Sequence, residues 1–222
     1  MTHFSDGIKI GPLTMPRRRG AEFKLNSGIV TLSFVPVTLD RDGYCASQTP
    51  GAAGNLTLNG ALVSNSIGRA DVARSVSIYG GSDESGKTFT VYGYDEFGAA
   101  MSEAIAGPNN STVNTLKAFY QVTRVAVSAA TTGAVEVGTG DKFGLPCRAL
   151  EFWAKWASAL ALDAGTYVAG VTTSPATTTT GDVRGTYTPS SASNGSRRLT
   201  MYITPIDAEA TDRLSWIGVT QA

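Results

Sequence analysis

The chain has 222 residues, with 18 Lys+Arg set against 18 Asp+Glu, so its formal net charge is zero and only 16% of it is charged. A neutral chain has no basic field for non-specific nucleic-acid binding, and no apolar run approaches the ~18 residues of a membrane span. No basic start followed by an apolar stretch marks a secretory signal, and a neutral surface tends to associate, which suits life in an assembly.

Residues 1–28 read as an extended N-terminal arm. Apolar residues are sparse and aperiodic there, prolines and glycines interrupt, and Arg17, Arg18 and Arg19 form a basic triplet. Fully extended, such a segment reaches on the order of 90 Å, enough to lie over a neighbouring subunit. Residues 29–222 read as one β-sandwich domain. The stretch 29–35 is β-branched and aromatic, and 55–59, 75–79 and 88–92 alternate apolar and polar positions. Turns fall at 80–86, 95–98 and 107–110, with a strand at 99–106 between the second and third. Further strands are expected at 113–117, 122–127 and 134–137. Residues 148–156 fit a strand or a short helix, and we prefer the strand. Then come 166–171, 182–188, 198–204 and 214–219, separated by a Thr-rich loop at 172–180 and a Ser-rich loop at 189–196. Short helical turns are admissible at 149–161 or 207–212. Strands recurring every 8–12 residues predict an all-β fold, an antiparallel, jelly-roll-like β-sandwich.

Candidate chemistry is thin. His3 stands alone near one end, where a general base would lack a rigid support. Cys45 and Cys147 are too few for a structural zinc site; buried free thiols are expected, with a disulfide as the alternative. There is no G-x-S-x-G elbow and no phosphate-cradling loop. Gly138, Gly140 and Gly144 miss the dinucleotide spacing, since Phe143 stands at the third position, and read as turn residues. Residues 40–43 are a fragment of a calcium loop that lacks its closing Glu, and read as a β-turn. The acid pairs Asp83/Glu84 and Asp95/Glu96 read as solvated turn tips. Trp153 and Trp156, three apart, share a face only on a helix. Core packing is the plain reading for both and an exposed interface anchor the sharper one. Trp216 reads as core. We expect no enzyme activity, no metal and no cofactor.

Several stretches resemble tailed-bacteriophage virion structural proteins. They are 74–79 (RSVSIY), 88–95 (TFTVYGYD), 101–108 (MSEAIAGP), 122–128 (VTRVAVS), 137–146 (VGTGDKFGLP), 181–190 (GDVRGTYTPS) and 197–202 (RRLTMY). The group is similar to head decoration, or cement, proteins. The resemblance implies a protein on the virion head surface, made in the host cytoplasm. It would bind the major capsid protein as a homo-oligomer on the icosahedral lattice, without nucleic acid or membrane. The arginine triplet would then meet acidic capsid residues, strand addition would supply main-chain contacts, and avidity would sum weak ones. A head–tail adaptor or tail component is the alternative within the virion. A carbohydrate-binding module, resting on Tyr92, Tyr94 and Phe97, is the alternative outside it.

Overall fold

A computed structural model describes residues 22–26, 29–157, 159–171 and 181–206. Among them no helix occurs, and the chain runs through fifteen strands. These are β1 (Glu22–Asn26), β2 (Ile29–Phe34), β3 (Cys45–Gln48), β4 (Gly54–Asn55), β5 (Val63–Ser64), β6 (Ile67–Gly80), β7 (Thr88–Tyr94) and β8 (Ala100–Ala106). The rest are β9 (Thr112–Asn114), β10 (Phe119–Val127), β11 (Val135–Gly144), β12 (Ala149–Trp156), β13 (Thr166–Ala169), β14 (Gly185–Thr188) and β15 (Leu199–Pro205). All pairings are antiparallel, and the fold is a jelly-roll-like β-sandwich.

One sheet has four strands in the order β1-β2-β15-β12. The other follows the path β13-β14-β11-β6-β10-β7-β8, with β3, β4, β5 and β9 paired along its length. Strand β1 lies inside the segment expected to be an arm. It pairs with β2 from Glu22 opposite Ser33 to Asn26 opposite Ile29. The arginine triplet at 17–19 and the expected strand at 214–219 lie outside the described residues.

Two apolar cores result. Val76, Ile78, Phe89, Val91, Phe119, Val125 and Val137 belong to the first, inside the curled large sheet. Val30, Leu32, Phe34, Phe143, Trp156, Met201 and Ile203 belong to the second, between the small sheet and the ends of β6, β11 and β14. Strands β6 and β11 pass through both. Period-two alternation points Val72, Arg74, Val76 and Ile78 the same way. Val72 packs in the second core and Val76 in the first, so Arg74 stands at the seam. Its guanidinium is fully buried. Nε donates to the Gly140 carbonyl at 2.6 Å, Nη1 to Asp71 at 3.1 Å and to the Val37 carbonyl at 3.3 Å, and Nη2 to Asp141 at 3.1 Å. The Phe143 ring lies 5.0 Å below it.

Two local expectations are corrected, and the preferred strand at 149–156 holds. Gly138 and Gly140 lie inside β11 and Gly144 is its last residue, so none of the three is a turn residue. The segment 38–42 crosses β11 so closely that a Cβ on Gly138 would fall 1.8 Å from the Asp40 carbonyl oxygen. Residues 56–59 keep their alternation, with Leu56 buried and Leu58 packed on the first core, but they leave the ladder after β4. Asn59 and Gly60 instead donate to the Tyr44 carbonyl. Residues 149–156 are strand throughout, without a helical turn. The cysteines are free and buried, Cys45 in the first core and Cys147 in the second.

Candidate interaction surface

Strand β12 is an edge of the small sheet, and its pleat decides what its two tryptophans can do. Phe152, Ala154 and Trp156 turn towards the second core, while Glu151, Trp153 and Lys155 turn outward. Trp156 is 4% exposed and lies under the Arg197 guanidinium at 4.4 Å. Its candidacy as an interface anchor is therefore corrected: a period of two, not 3.6, sends it inward. Trp153 remains 38% exposed. It stands opposite Tyr202 on β15, which stands opposite Thr31 on β2. A hydroxyl row flanks these aromatics, with Ser33 and Thr200 sharing a hydrogen bond of 3.0 Å.

Beyond β12 the chain returns along its free edge. The Asp163 N–H donates to the Ala154 carbonyl at 2.8 Å. The Asp163 carboxylate accepts from the Tyr187 hydroxyl at 2.5 Å, from the Ser190 N–H at 3.0 Å and from the Ser190 hydroxyl. Burial alone would raise its pKa, but these bonds outweigh it and hold the carboxyl below its ordinary value. Phe152 stacks on Tyr167 at 4.8 Å, tying β13 to β12. On this fixed frame Leu150 is 71% exposed, Leu160 wholly so, and Leu162 and Val168 more than half. With Trp153, they are five of the eleven exposed large hydrophobics among the described residues, all within 150–168. Leu160 and Leu162 carry no sequence signal of exposure, because their alternation reads equally as an inward strand face.

The acid pairs are corrected in part. Asp83 is a solvated turn tip, but Glu84, Asp95 and Glu96 are buried. Glu84 accepts from the amides of Thr132 and Gly133 and pairs with Lys87 at 2.6 Å. Burial opposes its charge, yet these partners hold its pKa below the ordinary value. Asp95 accepts from the amides of Phe97 and Ala99 and pairs with Arg184 at 2.6 Å. These carboxylates fasten loops to the sheets. Arg184 also covers Phe97 at 4.2 Å, and Arg124 covers Tyr92 at 3.6 Å. Of the three aromatics that suggested sugar stacking, Tyr94 alone lacks an arginine over its ring among the described residues.

The outer face of β9, β6 and β11 carries an open groove of about 490 Å³, lined in part by Leu39, Arg41, Ser77, Asn114, Gly140 and Lys142. Among the described residues no three His, Cys, Asp or Glu side chains come together to hold a metal ion. Burial pushes both thiols up to about 12, so neither is a nucleophile at neutral pH. No protein-family model, no curated protein and no solved structure matches the chain.

Proposed function

We propose that the chain is a decoration protein of a tailed-phage head, seated on the outer surface of the shell and holding neighbouring major capsid subunits. The observation that carries this reading is the concentration of exposed apolar side chains on the β12 frame. Apolar exposure gathered in one short stretch of chain on a fastened support favours a contact surface. Trp153 and the leucines at 150, 160 and 162 are its anchors. The resemblance of residues 74–146 and 181–202 to virion structural proteins supplies the partner class.

Burying those four side chains is worth about 6–12 kcal/mol, at about 1.5–3 kcal/mol each. Association itself costs about 4–15 kcal/mol. A single contact is therefore weak, and affinity for the shell comes from repeating it across a lattice. Such a protein needs stiffness more than a reactive group, and the charges buried at the seam and under the loops supply it.

The test is co-sedimentation of purified protein with empty expanded phage heads and with isolated capsid monomers. The reading expects saturable binding to shells, weak binding to monomers, and loss of shell binding in Trp153→Ala/Leu160→Asp. A protein that ignores expanded shells, or a double variant that binds like the wild type, rejects it. Particle cryo-EM gives the location: many icosahedral copies fit decoration, whereas a small ring at one vertex means a head–tail adaptor.

A further inference from the structure

We infer that the groove over β9, β6 and β11 binds a carboxylate, presented as an Asp or Glu side chain on an extended peptide segment of a protein partner. A hydrogen-bond account of the groove leads there. Its own carboxylates are already engaged. Asp141 accepts from Arg74, from the Ser193 N–H at 2.7 Å and from the Ser193 hydroxyl. Glu136 is ion-paired with Arg41, Oε2 to Nε, at 2.5 Å. The capacity left over is mostly donor. Lys142 gives one N–H to the Thr115 carbonyl at 2.9 Å and keeps two. Arg41 lies over Tyr79 at 4.1 Å with its side chain more than half exposed, and its terminal nitrogens are free. The Asn114 carboxamide and Thr112 hydroxyl line the rim, both exposed.

Lys142 is a half-buried ammonium with no carboxylate at ion-pair distance among the described residues. Glu103 acts on it from further away, but that carboxylate is held by the amides of Leu116 and Lys117. Burial lowers the lysine pKa against the pull of Glu103, the condition an incoming carboxylate would relieve. Of the other acids nearby, Asp71 is engaged by Arg74 and by the Val37 N–H at 2.9 Å, while Asp40 and Asp42, on either side of Arg41, interact with each other.

The backbone builds the groove for this. Pairing of β11 with β6 skips between Thr139 opposite Val76 and Phe143 opposite Arg74, so residues 140–142 bulge and turn Lys142 into the wall. Bulges re-aim side chains in this way. Gly140 lets Ser75 and Asn114 close in, since a Cβ there would fall 2.2 Å from Ser75 Oγ and 2.5 Å from Asn114 Oδ1. The volume exceeds what one carboxylate fills. The exposed Leu39 side chain and the Asn114 amide suit the flanking backbone of a peptide.

The site is independent of the β12 face, so its test uses free peptide rather than shells. Fluorescence anisotropy would follow labelled Gly-Ser-Glu-Ser-Gly and its Gln counterpart on the full chain. The Glu peptide is expected to bind at least about tenfold more tightly, with the preference fading at high salt. Lys142→Met should remove that preference and Lys142→Arg should keep part of it. Arg41→Gln, at an exposed position, serves if Lys142→Met does not fold. Amide NMR shifts should centre on Asn114, Gly140 and Lys142. Equal binding of the two peptides, no binding of either, or shifts centred elsewhere would overturn the inference.

Discussion

Replacing Arg74 with Met tests whether the seam between the two cores is held by charge. The substitution keeps an unbranched side chain of similar length but removes all four hydrogen bonds. Two carbonyls, of Gly140 and Val37, lose a donor, and two carboxylates lose their cation. Breaking a buried ion pair from one side costs about 3–5 kcal/mol. Asp71 and Asp141 are only mostly buried, at 15% side-chain exposure each, and keep other donors in the Val37 N–H and Ser193. The lower part of that range, about 3 kcal/mol, is therefore expected. Urea unfolding followed by tryptophan fluorescence measures it, and Trp156 reports on the second core. Adding Asp141→Asn should return part of the loss, because it removes a charge that no longer has a partner. A loss under about 1 kcal/mol, or no recovery in the double variant, would show that packing alone holds the seam.

Four further outcomes follow from the same structure. Gly138→Ala must displace the segment 38–42 and break the Thr139 N–H to Asp40 bond; a loss of about 3 kcal/mol lowers Tm by roughly 6–12 °C, while Gly51→Ala, with open space around it, stays within about 0.5 kcal/mol. Cys45 and Cys147 should resist a thiol reagent in the folded protein and both react on unfolding, and a fast-reacting native thiol would contradict their burial. Stability against pH should separate two kinds of carboxylate. The Glu84 pKa is depressed on folding, so its contribution is present above the ordinary value of 4.5 and lost as pH falls through the folded value; the disadvantage of Glu84→Gln should shrink there. The Glu103 pKa is raised by burial, so the folded state takes its proton first and the wild type should gain on Glu103→Gln as pH falls towards 4.5. Trp156→Ala should cost about 3–5 kcal/mol, whereas Trp153→Ala should cost under about 1 kcal/mol and act on shell binding instead.

Most strands were legible because alternation survives wherever one face is buried. In β7, Phe89 and Val91 point in and Thr90 and Tyr92 lie at the surface, as the pattern predicts. The glycines of β11 were not legible. Glycine ordinarily punctuates, and only the crossing of residues 38–42 shows that Gly138 is there for want of a Cβ. The surface was half legible. Once 149–156 is a strand, Trp153 and Trp156 must part, but exposure of Leu160 depends on how residues 159–165 fold back, a contact made through Asp163.

Least visible from the sequence is where the charge goes. Arg74, Lys117, Arg148 and Arg184 are buried, as are Glu84, Asp95, Glu96, Glu103 and Asp182. Among the described residues alone, that takes nine charged side chains out of a chain that has 36 in all. Glu84 and Arg74 each have one ion-pair partner three positions away, but others lie far off in sequence, as Asp95 and Arg184 do, 89 positions apart, and no local pattern announces those. The exterior is consequently less charged than composition alone suggests. A weakly charged exterior does little to repel neighbours, and repulsion is what keeps most small proteins monomeric. On the decoration reading proposed above, the interior ions serve association twice. They fasten loops and seam so that the β12 face meets a partner in one shape, and they leave the outer surface short of the charge that would hold partners apart.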